Sequence, residues 1–131
     1  MADAPRADAH YKAVLQAYID GLNARDADAV IALFAPDAVI EDPVGTPPKR
    51  GEAIDAWFRG AVQVEPLLEL SAPIRGSHGA SAAMAFTVTT TRKNGRFRTA
   101  SVDVAYFNED GLIERFEGHW GPSDRVELAD D

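Results

Sequence analysis

Apolar residues recur at helical spacing in the first half of the chain and alternate in the second, the period changing near Leu67. From Asp8 onward, Tyr11, Val14, Leu15, Tyr18 and Leu22 share one stripe and predict a helix ending between Asn23 and Asp26. A short second helix is expected next. Asp28 is available as its cap, Val30, Ile31, Leu33 and Phe34 are its apolar residues, and Pro36-Asp37 closes it. Val39 to Asp42 reads as a short strand. Thr46-Pro47-Pro48-Lys49-Arg50-Gly51 is too rich in proline for anything but a loop. Glu52 to Val62 predicts a third helix with Ile54, Trp57, Phe58 and Val62 facing inward, before Pro66 breaks the pattern.

Four strands are predicted beyond Leu67: Leu68 to Arg75, Ala82 to Arg92, Arg96 to Asn108 and Leu112 to Trp120. Lys93-Asn94-Gly95 is a strong hairpin signal, because Asn-Gly accepts positive φ at both turn positions, and Glu109-Asp110-Gly111 marks a second hairpin. Residues 1–7 and the acidic stretch 122–131 read as loose tails of a single domain spanning 1–131. Helices first and antiparallel strands afterwards make an α+β layout. Helices on one face of a curved sheet can enclose an apolar cavity.

Composition narrows the function classes. Thirteen basic against 21 acidic residues give a net charge of −8, which repels a phosphate backbone and an anionic membrane surface. No apolar run approaches the ~18 residues that span a bilayer. Met1-Ala2-Asp3-Ala4-Pro5-Arg6 lacks the basic-then-apolar pattern of a signal peptide, so a cytoplasmic location is expected. With no cysteine there is neither a disulfide nor a thiolate site, and His10, His78 and His119 show no metal-ligand spacing.

Three polar residues stand out. Ile40-Glu41-Asp42-Pro43-Val44-Gly45 reads as a strand running into a rigid turn. Pro43 fixes its own φ and holds Asp42 extended, while Gly45 lets the chain turn back. Asp42, beside Ile40 and Val44, suits a general base, although Asp-Pro steps also serve purely local turns. Tyr18 lies on the inward stripe of the first helix, either as a core tyrosine or as a phenol donor aimed into a cavity. Asp103 interrupts Ala100-Ser101-Val102-Asp103-Val104-Ala105-Tyr106-Phe107, where alternation puts Ser101, Asp103, Ala105 and Phe107 on one face. On an edge strand it would face water. In an interior it would need a cation or keep its proton. Met84, Phe86 and Val88 share a sheet face, as do Phe116 and Trp120, and suit either a core or a cavity wall. Arg92, Lys93, Arg96 and Arg98 flank a hairpin tip and read as a solvated charged turn.

Together these residues carry a resemblance. Ala17-Tyr18-Ile19-Asp20-Gly21-Leu22-Asn23-Ala24-Arg25-Asp26 resembles the first helix of the bacterial Δ5-3-ketosteroid isomerases. So does the stretch from Ala32 to Gly45, and so does Val102-Asp103-Val104 followed by a Gly hairpin and a last strand ending in Trp120. The similarity runs over roughly residues 10–121. It implies the cone-shaped, NTF2-like α+β fold, with three N-terminal helices on a curved, mainly antiparallel sheet around an apolar cavity. It further implies a steroid Δ-isomerase in which Asp42 is the general base and Tyr18 and a protonated Asp103 are the oxyanion donors. A small apolar steroid would lie against Met84, Phe86, Val88, Phe116, Trp120, Trp57 and Phe58. The resemblance implies no cofactor and no metal, and a homodimer. The same fold could instead carry a polyketide cyclase or other lyase, or a non-catalytic binder of hydrophobic ligands. Phe34 and Phe58 stand where some members carry tyrosines behind the catalytic phenol.

Overall fold

Helix α1 runs Asp8–Asn23 in the computed structural model, which describes residues 6–129. Of its predicted stripe Tyr11, Leu15, Tyr18 and Leu22 are buried and Val14 is half-buried, and Ile19 is buried with them. Most of the expected loose leader, residues 1–5, lies outside the described residues, as do 130 and 131. Arg6 is tied down, its backbone N–H donating to the Tyr11 hydroxyl at 2.8 Å. Gly21 lets α1 approach its neighbour closely, since a Cβ there would stand 2.7 Å from Val30 Cγ2. That neighbour, α2 (Ala27–Ile31), is capped by Asp26 rather than Asp28: Asp26 Oδ1 accepts from the Ala29 N–H at 3.1 Å.

Strand β1 covers Phe34–Glu41 and so begins earlier than Val39. Pro36 is accommodated because the pairing register shifts between Phe34 and Val39, where a missing N–H costs no ladder bond. The proline loop also yields a strand, β2 (Lys49–Arg50), paired with Val39 and Ile40. Helix α3 (Glu52–Ala61) buries Ile54 and Phe58, half-buries Trp57, and ends in a 3-10 turn over Val62–Val64. Strand β3 is shorter than expected, Leu67–Leu70, and Arg75 keeps only an isolated bridge to Ala83.

The long hairpin of β4 (Ser81–Arg92) and β5 (Gly95–Phe107) turns at Lys93 and Asn94. Its positive φ falls on Gly95 alone, at +133°. Strand β6 (Ile113–His119) lies antiparallel to β5 and parallel to β1. The chain after Gly121, expected to fray, makes a 3-10 turn and then β7 (Arg125–Leu128), paired with Arg96 to Thr99 of β5. Long-range backbone pairing orders this stretch, and local composition does not report that. The sheet has seven strands in the order β2-β1-β6-β5-β4-β3, with β7 beside the first half of β5.

Three helices thus pack on one face of a mixed, mostly antiparallel open sheet, the NTF2-like α+β fold. Leu15, Val30, Ile40, Ile113 and Phe116 are 0% exposed along the helix–sheet seam. Each such burial is worth about 1.5–3 kcal/mol, so this seam supplies much of the cohesion. Among the described residues, no helix is long and apolar enough to cross a membrane.

Candidate active site

The corner after β1 is pinned on every side. Asp42 joins Pro43 through a cis peptide bond, and Gly45 takes φ +100°. The Val44 N–H donates to the Gly118 carbonyl at 2.8 Å, and the Thr46 hydroxyl to the Pro43 carbonyl at 2.7 Å. Glu41 points to the other face of the sheet. There its carboxylate accepts from the Gly45 N–H at 2.8 Å and from the Arg115 guanidinium at 3.2 Å. Asp42 and Glu41 are therefore not an acid–base pair.

Asp42 leans over Gly118 of β6, where a Cβ would overlap its carboxylate. Gly118 clears the space that carboxylate occupies. One carboxylate oxygen, Oδ1, accepts from the Trp120 indole N–H at 3.2 Å. Trp120 reaches it because the chain between His119 and Arg125 bulges out opposite Ala100 and Ser101 of β5. Asp42 is half-buried, and burial raises its pKa above the ordinary carboxylate value. The Trp120 hydrogen bond and the charges of Lys49 and His119 oppose that rise.

Asp103 occupies a different setting. It sits mid-strand in β5, which is flanked by β4 and β6, so it is not on an edge. Alternation puts it on the enclosed face with Ser101, Ala105 and Phe107, and it is 1% exposed. Its register partner is Gly118, which brings it beside Asp42. Burial pushes its pKa well above the usual range, and the Asp42 charge adds to that rise. The Ser101 hydroxyl, 2.7 Å from Asp103 Oδ1, works the other way. Burial and the like charge of Asp42 thus both favour the neutral form of Asp103.

Tyr18 projects from α1 onto the same region and is 3% exposed. Its ring stacks on Phe116 at 5.0 Å between centroids and meets Phe58 edge-on at 5.9 Å and Phe34 at 6.5 Å. Burial raises its pKa well above the phenol value, and Asp103 and then Asp42 add to that rise to the extent that each is ionised. Phe34 and Phe58 can donate nothing, so no phenol network stands behind Tyr18.

The three polar residues open on one cavity of about 520 Å³, within the ~300–1,000 Å³ usual for small-molecule sites. Trp57, Phe58, Phe86, Val88 and Trp120 line it as expected from the sequence. Met84 and Phe116 do not. They are 1% and 0% exposed, and Phe116 lies beneath the Tyr18 ring instead of at the cavity surface. Strand alternation gives the face of a residue but not the part of that face a helix covers.

The sequence reading also missed lining residues. Thr90 and Arg92 continue the Phe86-Val88 face of β4, and Thr99 and Ser101 continue the Asp103 face of β5. The same alternation could have found them. Arg125 joins them only through the unforeseen β7. Among the described residues, no three His, Asp or Glu side chains gather as a metal site.

Comparison with known proteins accords with this architecture. The SnoaL-like domain profile matches residues 15–116. The chain belongs to the SnoaL-like domain family. It is 35% identical over 118 residues to the steroid Delta-isomerase of Nocardioides simplex, covering 90% of this chain and 95% of that one. It is also 36% identical over 122 residues to epoxide hydrolase LasB of Streptomyces lasalocidi, covering 86% of this chain but only 42% of that protein. The solved structure of SalBIII, an epoxide hydrolase/cyclase-like enzyme in pyran ring formation in polyether salinomycin, superposes with a TM-score of 0.86. That match has 28% identity and covers 93% of this chain and 98% of the other. The relatives named are thus enzymes of two reaction types.

Proposed function

We propose that this chain is a steroid Δ-isomerase that moves the double bond of a 3-oxo-Δ5-steroid into conjugation. Asp42 takes a proton from C4, a dienolate forms, and Asp42 returns the proton to C6. The C3 oxygen, as it gains negative charge, accepts hydrogen bonds from Tyr18 and from neutral Asp103. The observation that supports this most is the convergence of a half-buried carboxylate, an enclosed carboxyl and a buried phenol on one largely apolar cavity. A C4 proton is far less acidic than the Asp42 carboxyl, so the base works only if the dienolate is stabilised. Fixed donors in a dry site supply that, each worth about 2.7–4 kcal/mol in a comparable oxyanion hole. Ketosteroid isomerases are the known case of a carboxylic acid kept neutral near pH 7 to donate such a bond.

Epoxide opening is the second reading, favoured by the likeness to LasB and SalBIII. There Asp103 would protonate the epoxide oxygen while Asp42 deprotonates the attacking hydroxyl, an equally balanced use of one acid and one base. A binder without turnover is the third.

An ultraviolet assay separates the three. A non-conjugated 3-oxo-Δ5-steroid gains enone absorbance as it isomerises. The expected result is a rise that scales with protein concentration. An unchanged spectrum alongside consumption of a hydroxy-epoxide would select the second reading, and tight steroid binding with neither reaction would select the third.

A further inference from the structure

The end of the cavity remote from Asp103 is built differently from the rest. Thr90, Arg92, Thr99 and Arg125 line it, all on the face that carries Asp103 and Phe86. Thr99 and Asp103 are four residues apart on β5, about 13 Å along an extended strand. That is comparable to the length of a fused four-ring skeleton.

Arg125 is held in place. Its guanidinium stacks over the Trp120 ring at 4.6 Å, and its Nε donates to Thr99 Oγ1 at 3.0 Å. With Nε engaged, the two Nη groups remain as a planar fork, the geometry that binds a carboxylate through two parallel hydrogen bonds. In a chain with 21 acidic residues, neither Arg125 nor Arg92 forms an ion pair with another described residue. Nearby acids are turned elsewhere. Asp124 accepts from the Gly121 N–H at 2.7 Å, and Glu127 Oε1 lies 3.3 Å from the Cβ position at Gly95. Partial burial and the neighbouring charge of Arg92 both work against the charged form of Arg125, and a bound anion would offset both.

We infer that Arg92 and Arg125 form an anion-recognising end of the cavity, so that the preferred substrate carries a carboxylate on the ring opposite its 3-oxo group. This rests on the isomerase reading for the orientation of the substrate. The acidic surface repels such a molecule at long range, and the paired guanidiniums offset that locally. The neutral walls supply apolar contact, and the fork supplies the choice among otherwise similar steroids.

The test compares a 3-oxo-Δ5-steroid bearing a D-ring side-chain carboxylate with its methyl ester. The acid is expected to show a KM at least tenfold below that of the ester at low salt, with similar kcat, and the gap should shrink as ionic strength rises. Arg125→Gln and Arg92→Gln are each expected to bring the acid-to-ester ratio of kcat/KM towards one, and Arg92→Glu to invert it. Equal kcat/KM for acid and ester in the unaltered protein would overturn the inference while leaving the isomerase reading intact. A gain for a D-ring sulfate ester with none for the carboxylate would overturn the carboxylate assignment. If neither steroid isomerises, the isomerase reading fails separately. Calorimetric binding of a phenolic steroid carboxylate against its ester then still decides the anion preference, tighter binding of the acid supporting it and equal binding overturning it.

Discussion

Asp42 and Asp103 carry the same side chain a short distance apart and do not share an environment. Asp42 stands at the corner after β1, half-buried, with an indole N–H on one oxygen and Lys49 and His119 nearby. Asp103 stands mid-strand in β5, 1% exposed, and among the described residues its one side-chain hydrogen bond is from the Ser101 hydroxyl. Both pKa values rise, but the cations and donor restrain the first, while burial and the charge of Asp42 drive the second. On the proposed isomerase reading, one fold thereby offers a base and an acid made from identical carboxyls. The difference lies in where the backbone puts them, an end and a middle of two strands in one sheet.

The largest effect expected is from removing the base. Asp42→Asn keeps the shape of the corner and the indole contact but cannot take a proton. Isomerisation should fall by about 10²–10⁴-fold in kcat, the usual contribution of a general base. Binding of a phenolic steroid, which resembles the dienolate, should survive. A variant retaining most of its turnover would remove Asp42 from the mechanism.

The donors come next, and they should not be equal. Asp103→Leu removes a neutral acid and is expected to lower kcat by about 10²–10³-fold, as loss of one oxyanion donor does. Tyr18→Phe should cost less, about tenfold, well short of the loss typical for an oxyanion donor. Its ring packs against Phe34, Phe58 and Phe116, which offer it no hydrogen bond, and its pKa is raised well above the ordinary value. A reluctant phenol shares a proton poorly with a dienolate. Finding the larger loss in Tyr18→Phe would reverse this ranking and show that a lone phenol suffices.

Stability offers a check independent of turnover. Asp103 has a folded pKa raised above its unfolded value of about 3.9, so the folded chain holds a proton that the unfolded chain releases. Stability from this group is fully present below pH ~4 and is lost as pH rises towards the folded pKa. Asp103→Asn mimics the neutral carboxyl and does not titrate. Its melting temperature relative to the unaltered protein should therefore climb as pH rises above 4. A difference that stays flat across pH 4–8 would mean that Asp103 ionises normally.

How much of this was legible in the chain depended on whether the signal was local. The α1 stripe and the β4–β5 hairpin follow from side-chain period and turn chemistry, so sequence sufficed, whereas alternation gave the face of Asp103 and only the strand order shows that β5 is interior. The β7 strand, Arg125-Val126-Glu127-Leu128, looks like a charged tail because its order comes from pairing with Arg96 to Thr99 far along the chain. Arg92 read as a hairpin-tip charge, although it shares a face with Phe86 and Val88 and lines the cavity. Gly118 carried no signal at all. Its purpose is to make room for a carboxylate from another strand, and only the β1–β6 register reveals that.

Trp120 links the two settings and should give the smallest effect. Its indole N–H stabilises ionised Asp42 and so holds the base nearer its ordinary pKa. Trp120→Phe keeps a ring under Arg125 and removes the donor. Asp42 is half-buried, so water can replace part of the lost bond, and the further rise in its pKa should be small. Because Asp42 acts only when ionised, the acid limb of kcat/KM should move to higher pH, with a few-fold loss below it. Above that limb, the more basic carboxylate should turn over at least as fast as in the unaltered protein. A wall residue that only shaped the cavity would lower activity equally at every pH. A uniform loss would therefore assign Trp120 to packing and leave Lys49 and His119 as the groups that keep Asp42 ionised.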